Sequence, residues 1–484
     1  MTTHLATVDL LVVAAYMVAL LGVGYYASRQ IKGSVDYAVG GRSFGLPVLL
    51  GTLAGSVIGA SATMGKAGKA YEVGFAIMFA SAAYFLGYLL LAWLAPKLRA
   101  ANIDSLPDVL ERRFGSSMRL VAAVVLLLVV IPVFGIQLIA CGLIVVEFMG
   151  DLGISYAEAV GIAALIIVLY TMLGGLLAVA YTDLVQVLVM ALALGVLLPL
   201  MMTLELGETG QLSGVLQSPT GEILGGMNWG YVLSFIPAFT AFVVIDPGAW
   251  QRIAAARRAS DLRPAMLLTA AFYLFWSLLV ACLGVAAFNL YPDLMAGDAA
   301  IPQLVMDFMP PVLKGLCLAA IIALIMSTAD SALLICGTTV SWDVVRVLRP
   351  NTADKTLLLI SRLVILVVGL LGILFALSPI PLFEINLIAL GLFVSGLFAP
   401  VMAALFYHRV TSRAAIVASG VGVATVLGLY AAKFLGGYAL PVEPIFISLT
   451  LSLSSLFIVS RLTYREEFAT TPVLAKDQEV PNVC

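Results

Sequence analysis

Apolar runs separated by short polar connections fill almost the whole chain. Thirteen runs are long enough, at about 20 residues, to cross a bilayer as helices. They lie at 7–27, 46–65, 73–96, 118–148, 156–177, 182–203, 229–250, 265–290, 312–340, 356–378, 382–407, 414–432 and 443–461. The longest polar stretches are 97–117, 204–228 and the end of the chain from 462. The pattern predicts an all-α integral membrane protein of about 13 transmembrane helices. It forms one transmembrane domain over 1–464 with a short tail, 465–484. The first run has no basic segment before it and is too long for a secretory leader, so it reads as a retained helix.

Two runs make poor continuous helices. The second contains GTLAGSVIGASATMGKAG (51–68), where five glycines among small residues favour an unwound stretch. The seventh, YVLSFIPAFTAFVVIDPGAWQR (231–252), is interrupted by Pro237 and Pro247. Transporters built from inverted repeats place broken helices at matching positions of their two halves. The spacing predicts one repeat over 46–203 and another over 229–407, with 7–27 and 414–461 peripheral.

Composition and charge narrow the picture. The chain of 484 residues is 62% hydrophobic and 11% charged, against about 45–50% and 25% in soluble domains. A net charge of −2 offers no basic surface for nucleic acid. Two histidines, and five cysteines at unrelated spacings, suggest neither a transition-metal site nor a disulfide framework. Of the 25 lysines and arginines, all but Lys66, Lys69, Lys314 and Lys433 fall on one side of this topology. The positive-inside rule then places the N-terminus outside and the C-terminus in the cytoplasm of the cell membrane.

The candidate chemistry sits inside the membrane. IMSTADSALL (325–334) sets Ser327, Thr328, Asp330 and Ser331 in the middle of an apolar run. A carboxylate there costs roughly 2.5–3.5 kcal/mol on the insertion scale and is functional by default. Ser327, Asp330 and Ser331 share a helix face, and hydroxyl and carboxylate oxygens suit a hard cation. Serine and threonine can also bond back to their own helix, with Asp330 held by a packing partner. Asp183 either caps the start of the sixth run beside Thr182 or faces the ion route. Asp246 before Pro247 reads as a helix cap, or as a partner of Arg252. Lys66 and Lys69 either snorkel to the interface or draw an anionic solute inward.

MSTADSALL (326–334), LYTMLGGLLAVAYTDLVQ (169–186), GGRSFG (40–45) and DPGAWQR (246–252) resemble the sodium:solute symporter family. That family includes carriers of proline, pantothenate, choline, monocarboxylates and sugars. The resemblance implies a LeuT-like fold of 5+5 inverted repeats with broken first and sixth core helices. It implies Na⁺ as coupling ion and no other cofactor. By motif, Na⁺ ligands are the carbonyls of Gly55, Ile58 and Leu324 and the hydroxyls of Ser327 and Thr328. A second ion site in some members maps to Asp183, Asp330 and Ser331. Asp330 stands where some relatives carry a hydroxyl, so that position could bind Na⁺, bind H⁺ or pair internally. The solute pocket maps to Val57, Ser61, Phe239, Thr240 and Pro247.

No Asn, Glu or Gln stands at Val57, Ser61 or Ala62, which argues against a sugar. The expected activity is Na⁺-coupled uptake of an amino acid such as proline or of a small carboxylate. H⁺ coupling and choline, betaine or pantothenate transport are the alternatives within this fold. A transporter-like sensor is the rival from another class, and the short tail speaks against it. No nucleophile–base pair is evident, so no enzyme is expected.

Overall fold

The structure is a computed structural model that describes residues 5–149, 153–222, 224–294, 296–377, 382–436, 442–464 and 471–474. Of the expected tail, only 471–474 lie within these residues, and Val473 N donates to Ala404 O at 3.0 Å. Among the described residues, each of the thirteen apolar runs lies largely on helix. The principal helices are α1 (Thr7–Ser28), α2 (Leu46–Val57), α3 (Lys66–Val73), α4 (Met78–Ala100), α5 (Ser116–Met149), α6 (Tyr156–Leu192) and α7 (Trp229–Ile245). They continue as α8 (Pro247–Ala255), α9 (Ala259–Leu290), α10 (Leu313–Thr338), α11 (Asp354–Ala376), α12 (Leu382–Phe406), α13 (Ser412–Gly436) and α14 (Pro444–Thr463).

Eleven helical stretches among the described residues are long and apolar enough to span a membrane. The difference from thirteen has two sources. The glycine-rich second run is broken, so α2 alone is only 12 residues long. The fifth and sixth runs form one helical stretch, Tyr156–Glu208, which bends at Gly175. Its φ of 52° and ψ of −147° are not helical. A side chain there would meet Tyr37 O at 2.5 Å, so only glycine fits both the angle and the contact.

Both predicted breaks are present. α2 stops at Val57, Ile58 adopts φ −100°, ψ 37°, and a π-turn, Ser61–Gly65, leads into α3. α7 stops at Ile245 and α8 starts at Pro247. Asp246 between them accepts Gly248 N and Ala249 N at 3.1 Å each, which is the cap expected before a proline at the first helical position. A short parallel bridge joins Phe44 to Ala256, so the lead-in to α2 is tied to the exit from α8. Asp9 of α1 is also a cap, but for another helix: its Oδ1 accepts Val312 N (2.7 Å) and Gly315 N (2.9 Å) at the start of α10.

α10 runs through the centre and is buried over nearly its whole length, whereas α1, α11 and α14 turn leucine and valine outward. An outward apolar girdle around a helix bundle with internally satisfied backbone is what a bilayer requires. The central place of α10 is what brings its polar waist against α2, α6 and α8.

Candidate functional site

The break in α2 faces the waist of α10. Ending α2 at Val57 releases carbonyls that a continuing helix would engage. The Ser327 hydroxyl donates to Gly55 O at 3.0 Å, with Leu324 O at 3.1 Å. Three of the five expected Na⁺ ligands therefore converge. The fourth, Thr328 Oγ1, is buried and has no hydrogen-bond partner among the described residues. It lies against Gly59, where an added Cβ would come within 2.1 Å of it. The fifth, Ile58 O, accepts from Thr63 Oγ1 at 3.1 Å, and Trp276 Nε1 donates to Thr63 Oγ1 at 3.0 Å. This set of neutral hydroxyls and carbonyls, with one hydroxyl left over, has the chemistry that suits a hard monovalent cation.

Asp183 does not sit where a helix cap would. It lies inside α6, beyond the Gly175 bend, and is fully buried. Its Oδ2 accepts from Thr52 Oγ1 (2.5 Å) and from Arg252 Nη2 (3.2 Å), while its Oδ1 has no hydrogen-bond partner among the described residues. Arg252, on α8, is 1% exposed. It also donates from Nη2 to Ser331 Oγ (2.8 Å), from Nε to Thr52 Oγ1 (2.8 Å) and from Nη1 to Gly248 O (3.1 Å). One guanidinium thus ties α2, α6, α8 and α10 together. The pairing of Arg252 is with Asp183, not Asp246.

Asp330 turns away from this junction. Its Oδ2 accepts from Tyr170 OH at 2.6 Å, and Ser331 Oγ lies 3.4 Å from its Oδ1. Ser331 in turn donates to Ser327 O (3.0 Å) and is 3.3 Å from Ser56 Oγ. The second candidate ion residues are close in space, but the Arg252 head lies between Asp183 and Ser331.

Beside the broken helices lies a cavity of about 260 Å³. Val57, Ser61, Phe239 and Pro247 are on its wall. Thr240 is not: its hydroxyl donates to Ala83 O on α4 at 3.0 Å. The wall also holds residues that sequence reasoning missed. Tyr84 stacks on Tyr273 (centroids 4.9 Å apart) and packs against Phe239 (5.3 Å) and Phe242 (6.0 Å). Lys66 is on the same wall and is 7% exposed, so it does not snorkel to an interface. Lys69 pairs with Glu72 at 2.7 Å. Nothing local in the sequence marks Tyr84 or Tyr273, because α4 and α9 are apolar on most sides.

Comparison with known proteins adds independent observations. A family model described as "Sodium:solute symporter family" matches residues 37–422. The chain is 28% identical over 481 residues to the high-affinity proline transporter PutP of Bacillus subtilis, covering 93% of this chain and 98% of that one. It is 27% identical to the sodium/proline symporter of Escherichia coli, covering 87% and 88%. The fold matches that of a Na⁺-coupled sialic acid symporter with a TM-score of 0.81 at 21% identity, over 95% of this chain and 99% of that one.

Proposed function

This chain belongs to the sodium:solute symporter family, and from that premise we propose that it takes up a small amino acid such as proline, or a small carboxylate, with Na⁺ bound at the break in α2. Membership makes it a multi-pass membrane transporter of LeuT-like fold, with Na⁺ as coupling ion, and not an enzyme. The solute, the ligand residues and the orientation are our reading.

One observation carries it: Gly55 O, Leu324 O and Ser327 Oγ converge across two helices beside the Thr328 hydroxyl, which has no hydrogen-bond partner among the described residues. In this reading, with Ile58 O, they form the Na⁺ site. Na⁺ there holds α2 against α10 and shapes the adjoining cavity, where Val57, Ser61, Phe239 and Pro247 receive the solute. Each ligand then favours the other's binding, and linkage makes that effect reciprocal. The two halves rock around the site, with the N-terminus outside and the C-terminus in the cytoplasm. Proline is favoured by the proline transporters among the relatives.

The reading takes a one-Na⁺ form. Arg252 already neutralises Asp183 and donates to Ser331, so a second cation at Asp183, Asp330 and Ser331 requires that guanidinium to move. A proton at Asp330, alongside Na⁺ coupling, is a second reading. It is favoured by one observation: Asp330 is buried against the Tyr170 and Ser331 hydroxyls and has no ion-pair partner among the described residues. The test is uptake into proteoliposomes of labelled proline, alanine, pyruvate, pantothenate and choline, driven by a Na⁺ gradient or a pH gradient. Proline or pyruvate uptake that collapses without Na⁺ supports the reading. Uptake that follows only the pH gradient, or that is confined to choline, contradicts it.

A further inference from the structure

We propose that Lys66 recognises the solute by its carboxylate, so that this carrier selects anionic or zwitterionic solutes over neutral and cationic ones. The inference rests on reading the cavity beside the broken helices as the solute site. Lys66 is the first residue of α3, directly after the π-turn, and stands on the cavity wall.

Its ammonium group is held but not neutralised. Nζ donates to Ser277 Oγ (2.6 Å), Ser81 Oγ (3.0 Å) and Tyr273 OH (3.1 Å), and lies 4.5 Å from the centroid of the Tyr273 ring. These bonds use all three N–H groups, yet every acceptor is an uncharged hydroxyl. No carboxylate lies within ion-pair distance of Lys66 among the described residues. The other cations on the same wall are compensated: Lys69 by Glu72 and Arg252 by Asp183. A buried ammonium without a counter-charge is costly in a membrane. A solute carboxylate that displaces one hydroxyl acceptor supplies the missing charge. The rigid cage of hydroxyls and ring keeps the ammonium in place before the solute arrives, which lowers the cost of binding.

The position also suits coupling. Ile58, Thr63 and Lys66 belong to the same interrupted helix, and the α9 residues Trp276, Tyr273 and Ser277 support Thr63 and Lys66 in turn. An ion that fixes the break therefore fixes the start of α3 as well. The same wall also carries the Asp246 carboxylate, held by the backbone N–H groups of Gly248 and Ala249. A zwitterion can therefore meet both signs of charge there, whereas a quaternary ammonium without a carboxylate leaves Lys66 uncompensated.

Titration calorimetry on the purified full chain in Na⁺ tests this, with L-proline and pyruvate set against L-prolinamide, pyruvamide, choline and myo-inositol. The wild type should bind at least one of the two carboxylates, and that acid's own amide about tenfold or more weakly. Lys66→Met should weaken carboxylate binding by about tenfold or more, and Lys66→Arg by less. Na⁺-induced thermal stabilisation should persist in Lys66→Met, which shows that the variant folds and keeps its ion site. The comparison of whichever acid binds with its own amide, L-prolinamide or pyruvamide, needs no variant, so a misfolded Lys66→Met leaves the proposal open to refutation. Equal affinity of Lys66→Met and wild type for the carboxylate overturns it. So does a wild type that binds neither carboxylate, or prefers prolinamide, pyruvamide, choline or myo-inositol. Carboxylate binding that depends on Lys66 without Na⁺-driven uptake would sink the Na⁺ reading alone.

Discussion

Arg252 reaches five acceptors on four stretches of chain, and Asp183 is the carboxylate that neutralises it. Removing one partner of a buried ion pair leaves an uncompensated charge, at a cost of about 3–5 kcal/mol. Asp183→Asn should therefore lower the melting temperature strongly, and Asp183→Asn with Arg252→Gln should recover part of the loss. If Asp183 instead acts chiefly as an ion ligand, the single variant keeps its stability and shifts only the Na⁺ response. The sequence pointed to Asp183, but its role was not legible there. Thr182 beside it suggested a cap, and Arg252 lies 69 residues away. Lys66 is a similar case, because two of its three hydroxyl partners come from α9, more than 200 residues on. The cap at Asp246 was legible, since a cap is made by neighbours and Asp-Pro-Gly spells it locally.

At the scale of the element, the breaks in the second and seventh runs could be read from glycine density and proline position, because these residues act on their own backbone. What the breaks face could not. Gly59 illustrates the difference: its sequence context allows a flexible joint, and the structure shows a contact surface for Thr328. Gly59→Ala should push a methyl into Thr328 Oγ1, 2.1 Å from the ideal Cβ, at about 1–3 kcal/mol for overpacking. It should also raise the Na⁺ concentration needed for thermal stabilisation. Gly175→Ala meets both a φ of 52° and Tyr37 O at 2.5 Å. Strain of this kind costs about 1–3 kcal/mol, so its melting temperature should fall while the Na⁺ concentration for half-maximal stabilisation stays the same. Melting curves over a Na⁺ series separate the two. A Gly59→Ala protein with unchanged Na⁺ response would detach the break from ion binding.

The whole molecule was legible as a membrane protein from composition and from the thirteen apolar runs, since crossing a bilayer takes about 20 apolar residues per helix, and as a transporter from the paired breaks and the motifs. Its two-part mechanism depends on contacts that periodicity does not carry. α10 touches the broken α2 through Ser327, α6 through Asp330 and α8 through Ser331, so successive polar residues of one waist face three different helices. With the Arg252 guanidinium bonded to both Asp183 and Ser331, a single cation site is left at the break, which predicts a hyperbolic rather than sigmoidal Na⁺ dependence of uptake.

The central claim is that Na⁺ binds across the break between α2 and α10 and so drives solute uptake. It is tested most directly by uptake of labelled L-proline into proteoliposomes at increasing external Na⁺, for wild type and for Ser327→Ala with Thr328→Ala. A hydrogen-bonding group facing a charge contributes about 1.5 kcal/mol or more, so losing two hydroxyl ligands should raise the half-saturating Na⁺ concentration by about tenfold or more. Wild-type and doubly substituted proteins with the same Na⁺ dependence would contradict the account.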